Sequence, residues 1–257
     1  MDLGLRDSVA VVIGGASGIG RAIANTFLAE SARVGIIDLK FAEPGSGQFV
    51  ADVTDYAAIK RAASDIRTQF GRIDHIVFAA GIGSGKFGFP FWNLDPADWD
   101  RVMRVNLIGA ANVAHAFAPG LAEQKRGTML FLASVAGQIG SQTDPPYSAS
   151  KAGLINFAQC AAKDLAPFGV RVNSLNPGMV QTPLNRSVWQ SWADKQPPET
   201  WKDYEAWAGE KVSKIVPLGR WQTPDDIAAM AVFLASERAA NVTGQTINVD
   251  GGYVMHW

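Results

Sequence analysis

Short apolar runs recur along the chain at residues 9–13, 34–37, 48–51, 73–78, 128–132, 170–175 and 246–249, and several are apolar at nearly every position. Continuous apolarity suits a strand buried on both faces of a parallel sheet, whereas strict alternation would mark a strand with one wet face. Between these runs the pattern changes to a helical period, at 18–30, 55–69, 97–119, 147–166 and 225–235. Strand–helix alternation of this kind predicts an α/β architecture, either a doubly wound parallel sheet or a closed barrel. One crossover departs from the pattern. About ten residues separate the second and third runs, and they include Glu43-Pro44-Gly45-Ser46-Gly47. A parallel crossover through a helix needs a dozen residues or more, so a loop is expected there.

The first turn chooses between sheet and barrel. The run at 9–13 leads directly into Gly14-Gly15-Ala16-Ser17-Gly18-Ile19-Gly20 and then into a helical stretch. Glycines allow the tight turn and let backbone N–H groups approach a pyrophosphate at the positive end of a helix. The spacing is G-x-x-x-G-x-G. Asp38 ends the second run, where a carboxylate accepts hydrogen bonds from an adenosine ribose and repels a 2′-phosphate. The expected cofactor is therefore NAD, held by Gly14, Ser17, Gly18, Ile19, Gly20, Asp38 and Leu39.

Composition narrows the partners. The 257 residues carry 23 Lys and Arg against 24 Asp and Glu, a net charge of −1, with 47% hydrophobic and 18% charged residues. A near-neutral balance lacks the electrostatic footprint of a nucleic-acid or acidic-membrane binder. No apolar run approaches a membrane span, and the start, Met-Asp-Leu-Gly-Leu-Arg, lacks a signal-peptide layout; a cytoplasmic location is expected. Cys160 is the only cysteine, which excludes an internal disulfide and a cysteine zinc cluster; it is expected to be buried as a small apolar residue. His75, expected to close a turn, His115 and His256 have no metal-ligand spacing, so no metal is expected.

Tyr147-Ser-Ala-Ser-Lys151 puts Tyr and Lys one helical turn apart, on one face, after the helix-starting pair Pro145-Pro146. An ammonium near a phenol favours the phenolate, so Tyr147 is expected to have its pKa lowered toward neutrality. Tyr56-Ala-Ala-Ile-Lys60 repeats the spacing, but only Tyr147 has a hydroxyl, Ser134, upstream at the C-terminal end of a predicted strand, where open α/β sheets bind ligands. Tyr56 and Lys60 are read as a solvated helix face.

With these motifs, Asp52-Val53, Ala80-Gly81, Asn106, Pro177-Gly178 and the late stretch 244–252 complete an ordered set, and the chain resembles the classical short-chain dehydrogenase/reductase family over essentially its whole length. The resemblance implies one Rossmann-like domain over residues 1–257, a doubly wound parallel sheet of about seven strands with helices on both faces. It implies Tyr147 as general acid/base, Ser134 holding the substrate oxygen, and Lys151 tuning Tyr147 and binding the nicotinamide ribose. Asn106 would hold a water in a proton relay. Asp52 and Val53 would contact the adenine, Ala79, Ala80 and Gly81 the adenosine side, and Pro177, Gly178, Val180 and Thr182 the nicotinamide side. Two positions depart from the family's habit: Ile13 where Thr is common, and Phe78-Ala79 where Asn-Asn is common.

The implied activity is NAD(H)-dependent interconversion of a secondary alcohol and a ketone. A 3-oxoacyl thioester reductase is the alternative within enzymes, and a non-catalytic cofactor sensor the alternative outside them. Residues 183–217 are expected to form a small helical lid containing Trp189, Trp192, Trp201, Tyr204 and Trp207. Trp189 or Trp192 is expected at the substrate wall beside Met179, with Gln138 and Gln142 bonding substrate hydroxyls. The expected substrate is a small uncharged polyol, sugar or cyclic alcohol. The Ala-rich helices 97–119 and 147–166, together with the family resemblance, imply a homo-oligomer, expected as a tetramer.

Overall fold

The computed structural model describes residues 2–86, 88–140 and 143–255. Seven parallel strands form one sheet in the order β3-β2-β1-β4-β5-β6-β7. These are β1 (Val9–Ile13), β2 (Arg33–Asp38), β3 (Gln48–Val50), β4 (His75–Phe78), β5 (Gly127–Leu132), β6 (Val170–Pro177) and β7 (Thr246–Val249). The order reverses between β1 and β4, which opens a crevice at the C-terminal strand ends. This is the doubly wound sheet expected from the first turn.

The apolar runs have the origin proposed for them. Along β1, Val11 and Ile13 face one helical layer and Ala10 and Val12 the other. Ile76 and Phe78 against Val77 repeat this on β4, and Met129 and Phe131 against Leu130 and Leu132 on β5. On the first side lie α2 (Tyr56–Phe70), α4 (Gly109–Gln124) and α5 (Pro145–Leu165); on the second lie α1 (Gly18–Ala29) and α8 (Pro224–Ala235). Ile13 and Phe78 pair in register and are fully buried. The two departures from family habit thus add apolar core at the turn. Backbone bonds still brace it: Gly14 N–H donates to the Ile37 carbonyl and Ala79 N–H to the Ile13 carbonyl, both at 2.8 Å.

No helix intervenes between β2 and β3, as the short spacing and its Pro and Gly residues require. The long helix expected at 97–119 differs in detail. It comprises α3 (Pro96–Met103), a π-helical turn (Arg104–Ile108) and α4, which continues past Pro119 to Gln124. β6 extends to Pro177 because Asn176 and Pro177 still pair with Asn248 and Val249.

Two single-residue expectations are corrected. His75 opens β4 instead of closing a turn; it is buried, with Nδ1 2.9 Å from the Thr128 hydroxyl, and burial pushes its pKa down to about 4. Cys160 is exposed, because it shares the outer face of α5 with Ala152, Asn156 and Lys163 while Ala158, Ala161 and Ala162 fill the core side.

After β6 come α6 (Pro183–Ala193) and α7 (Tyr204–Ile215). Tyr204, Trp207 and Ala208 form a separate small core with Val188, Trp189, Trp192 and Trp221 packed on it. Among the described residues, no helix is long and apolar enough to cross a membrane.

Candidate active site

The crevice at the switch point is a cavity of about 1210 Å³. That exceeds the usual pocket for one drug-sized molecule and suits a dinucleotide with a second small molecule. The glycine turn forms one end. A Cβ on Gly14 would lie 2.6 Å from the Ala80 nitrogen, and one on Gly20 only 2.1 Å from the Gly14 carbonyl oxygen. The turn can therefore close against the Ala80 loop only without side chains. Gly14 and Gly18 also adopt positive φ, at 82° and 54°. α1 begins at Gly18, directing its positive end at the cavity.

Asp38 stands at the end of β2. Its two carboxylate oxygens accept from Ala16 N–H at 2.9 Å and Leu39 N–H at 2.8 Å, which leaves lone pairs for a ribose hydroxyl. Ser17, Ile19, Leu39, Asp52, Val53, Ala79, Ala80 and Gly81 line the same cavity. Pro177, Gly178, Met179, Val180 and Thr182 line it too, with Thr182 beside Gly18. The Thr182 hydroxyl caps α6 by accepting from Asn185 N–H at 3.2 Å. Donors, glycine cradle and acidic acceptor fit a nicotinamide dinucleotide.

Ser134, Tyr147 and Lys151 come together on this cavity. Ser134 follows β5, its Oγ accepts from Ala136 N–H at 3.1 Å, and its side chain favours the ionised form of the Tyr147 phenol. Lys151 donates to the Leu132 carbonyl at 2.7 Å, its ammonium 5.5 Å from the centre of the Tyr147 ring. The expected lowering of the phenol is not what the protein alone provides. Burial pushes Tyr147 up to about 12 and Lys151 down to about 7. Removal from water penalises both charged forms, Lys151 being buried and Tyr147 half-buried on the cavity, and an ammonium so discouraged is a weak source of field for the phenol. In this state Tyr147 keeps its proton and is a donor.

Asn106 lies in the π turn beneath the cavity and does not line it. Its amide accepts from Ile82 N–H and donates to the Ile82 carbonyl and the Ser150 hydroxyl, each at 2.9 Å. Both amide hydrogens are thus committed to bracing the Gly81–Ile82 loop and Ser150, so a relay water would bond to an Asn106 carbonyl oxygen.

The substrate end differs most from expectation. Trp189 and Trp192 do not line the cavity; they pack between α6 and α7. Trp189 meets Trp201 and Tyr204 edge-on and donates from Nε1 to the Lys202 carbonyl at 3.1 Å, while Trp192 packs on Trp207. The aromatic wall is Trp207, with Leu184, Val188, Lys211, Ile215 and Tyr253. Gln138 is also absent from the lining, and Gln142 lies outside the described residues.

Asp144 and Lys211 are among the charged lining residues that the sequence reading missed. Asp144 caps α5 and accepts from Ser84 N–H at 2.7 Å and Tyr147 N–H at 3.4 Å; burial pushes its carboxyl up. A carboxylate before Pro145-Pro146 was its available signal. Trp207, Lys211 and Ile215 share one face of α7 at four-residue spacing, a stripe that pointed to Lys211. Tyr56, by contrast, bonds His115 on α4 at 2.5 Å and lies outside the cavity. Among the described residues, no cluster of His, Cys, Asp and Glu could hold a metal ion.

Fold and site together are those of a nicotinamide-dinucleotide oxidoreductase. The chain matches the family described as Enoyl-(Acyl carrier protein) reductase over residues 14–254. It is 34% identical to D-threitol dehydrogenase of Mycolicibacterium smegmatis over 99% of this chain and 95% of that one. It is also 34% identical to a 3-oxoacyl-(acyl-carrier-protein) reductase of Thermotoga maritima, over 98% and 99%. Among solved structures, aldohexose dehydrogenase of Thermoplasma acidophilum superposes with a TM-score of 0.88 at 28% identity, covering 98% of this chain and 96% of that chain. Levodione reductase gives 0.86 at 28% identity, covering 96% and 97%. The chain belongs to the classical short-chain dehydrogenase/reductase family, whose members act on CH–OH and keto groups with a nicotinamide cofactor.

Proposed function

We propose that this protein is an NAD(H)-dependent oxidoreductase that interconverts a small secondary alcohol, with a polyol, sugar or cyclic skeleton, and its ketone. The observation that carries the reading is that Ser134, Tyr147 and Lys151 converge on the cavity that the glycine turn also lines. When bound, the nicotinamide supplies or takes up a hydride at the carbon. Ser134 orients the substrate oxygen, and Tyr147 delivers the proton to it in reduction and takes it in oxidation. Lys151 fixes this edge by its bond to the Leu132 carbonyl and offers an ammonium to a ribose hydroxyl. Asn106 holds the Gly81–Ile82 loop on which the cofactor rests.

Asp38 supports NAD over NADP, because a 2′-phosphate at its position would meet a carboxylate already fixed by two backbone donors. The threitol and aldohexose dehydrogenases support a polyol or sugar skeleton, and levodione reductase a cyclic one. The exposed faces of α4 and α5 support a tetramer.

The test is NADH consumption over a panel of sugars, polyol ketones, cyclic ketones and an acetoacetyl thioester, repeated with NADPH. The expected result is about tenfold or greater preference for NADH and turnover of at least one small ketone. Efficient turnover of the thioester alone would replace this reading with the thioester reductase. Binding of NADH without consumption on any ketone would leave a cofactor sensor.

A further inference from the structure

Lys211 is a charge in an apolar wall. It projects from α7 into the cavity that Ser134 and Tyr147 line, between Trp207 and Ile215 on the same helix face. Its ammonium lies 4.2 Å from the centre of the Trp207 ring. Burial pushes its pKa down, with no acidic neighbour raising it. Among the described residues no carboxylate pairs with it. The adjacent Glu210 is taken by Lys202 and by Lys214, the latter at 2.5 Å. The acids on the cavity are committed elsewhere: Asp38 to Ala16 and Leu39, Asp52 to Thr54, Asp100 to Arg104 and Asp144 to Ser84 and Tyr147.

The Trp207 ring gives this ammonium a cation–π contact but no counter-charge; an ammonium partly drawn out of water without one is destabilising, and in a ligand cavity the cost is offset when the ligand brings the counter-charge. We propose that Lys211 receives a carboxylate of the substrate, so that the alcohol or ketone turned over here is a hydroxy acid or keto acid. The proposal rests on the oxidoreductase reading above and revises the uncharged substrate expected from the sequence. A single charge is favoured over a phosphate dianion. Its neighbours on the same helix face, Trp207 and Ile215, are apolar, and of the two arginines on the cavity, Arg101 and Arg104, Arg104 is paired with Asp100; a second uncompensated charge beside Lys211 would be costly. A charge-assisted hydrogen bond from Lys211 to one carboxylate oxygen holds the far end of the substrate while Ser134 and Tyr147 hold the reacting oxygen.

The experiment compares matched pairs that differ only in charge: acetoacetate against acetoacetamide, and levulinate against its primary amide, each reduced with NADH. Wild-type enzyme is expected to prefer at least one acid by about tenfold or more in kcat/KM, mainly through KM. Lys211→Met is expected to bring that acid-to-amide ratio to about one, and Lys211→Arg to restore it in large part. A ratio near one in the wild type, or a ratio untouched by Lys211→Met, overturns the proposal. In parallel, tryptophan fluorescence of the NADH complex is titrated with levulinate and with its amide, which reads binding beside Trp207 without turnover. Saturable, Lys211-dependent binding of levulinate without reduction of any ketone would support the carboxylate site and sink the reaction reading. Turnover of neutral ketones without any preference for acids would do the reverse, and absence of both would sink both.

Discussion

Lys151 is a side chain kept where it is costly. It is 3% exposed, its ammonium donates to the Leu132 carbonyl, and it is pushed down to about 7 from an ordinary lysine value of 10.5. A base whose folded pKa is depressed binds fewer protons folded than unfolded, so its burial is most destabilising below about pH 7. The penalty shrinks as pH rises from there toward 10.5. Lys151→Met is therefore expected to melt at a higher temperature than wild type in the absence of cofactor. The difference should be largest near pH 6 and diminish steadily above pH 7, and thermal melts across that range check it. An equal difference at all pH values would mean that the stabilisation comes from packing and not from the discarded charge. Tyr147, Lys151 and Ser134 were legible because two spacings had to agree, one along a helix and one back to a strand end. Their titration was not. The sequence displays the ammonium beside the phenol but not the burial that pushes the phenol up to about 12. Cys160 and His75 were misplaced for a related reason, since the exposure of one residue depends on which way its whole element faces.

At the scale of elements, the strands read well because β1, β4 and β5 each feed two cores, and a short run apolar at every position fits a strand covered on both sides. The lid read less well. Five aromatic residues between 189 and 207 were visible, but which of them faces the cavity depends on how α6 packs on α7. Trp189 and Trp192 turn into that packing, leaving Trp207 for the wall. Trp189→Ala removes two edge-on ring contacts and the bond to the Lys202 carbonyl. Each ring pair is worth about 1 kcal/mol beyond its buried area. Because this cluster is separate from the two sheet cores, the loss is expected to fall on the lid alone. Limited proteolysis within residues 183–217 should accelerate about tenfold or more, with KM raised several-fold and the global melting temperature nearly unchanged. A large drop in melting temperature instead would show that the lid and the sheet unfold as one unit.

For the whole molecule, the outer face of α5 carries Ala152, Asn156, Gln159, Cys160 and Lys163, and it joins the exposed Ile108 before α4. This surface is small-featured and nearly free of charge, which suits close helix pairing between copies. Light scattering at micromolar concentration is expected to return the mass of a tetramer. Cys160 should then react with a thiol reagent much more slowly in the native assembly than after dissociation. A monomer mass with rapid labelling would contradict both.

The central claim is that Tyr147 transfers the proton at the reacting oxygen, and one comparison tests it most directly. Tyr147→Phe keeps the ring and removes the hydroxyl on the cavity that Ser134 also lines, while Tyr56→Phe removes a hydroxyl bonded to His115 outside the cavity. With NADH and a saturating ketone, kcat of Tyr147→Phe is expected to fall by about 10² to 10⁴-fold with NADH binding preserved, and that of Tyr56→Phe to stay within about twofold. Comparable losses in the two variants, or a Tyr147→Phe enzyme that keeps most of its kcat, would contradict the account.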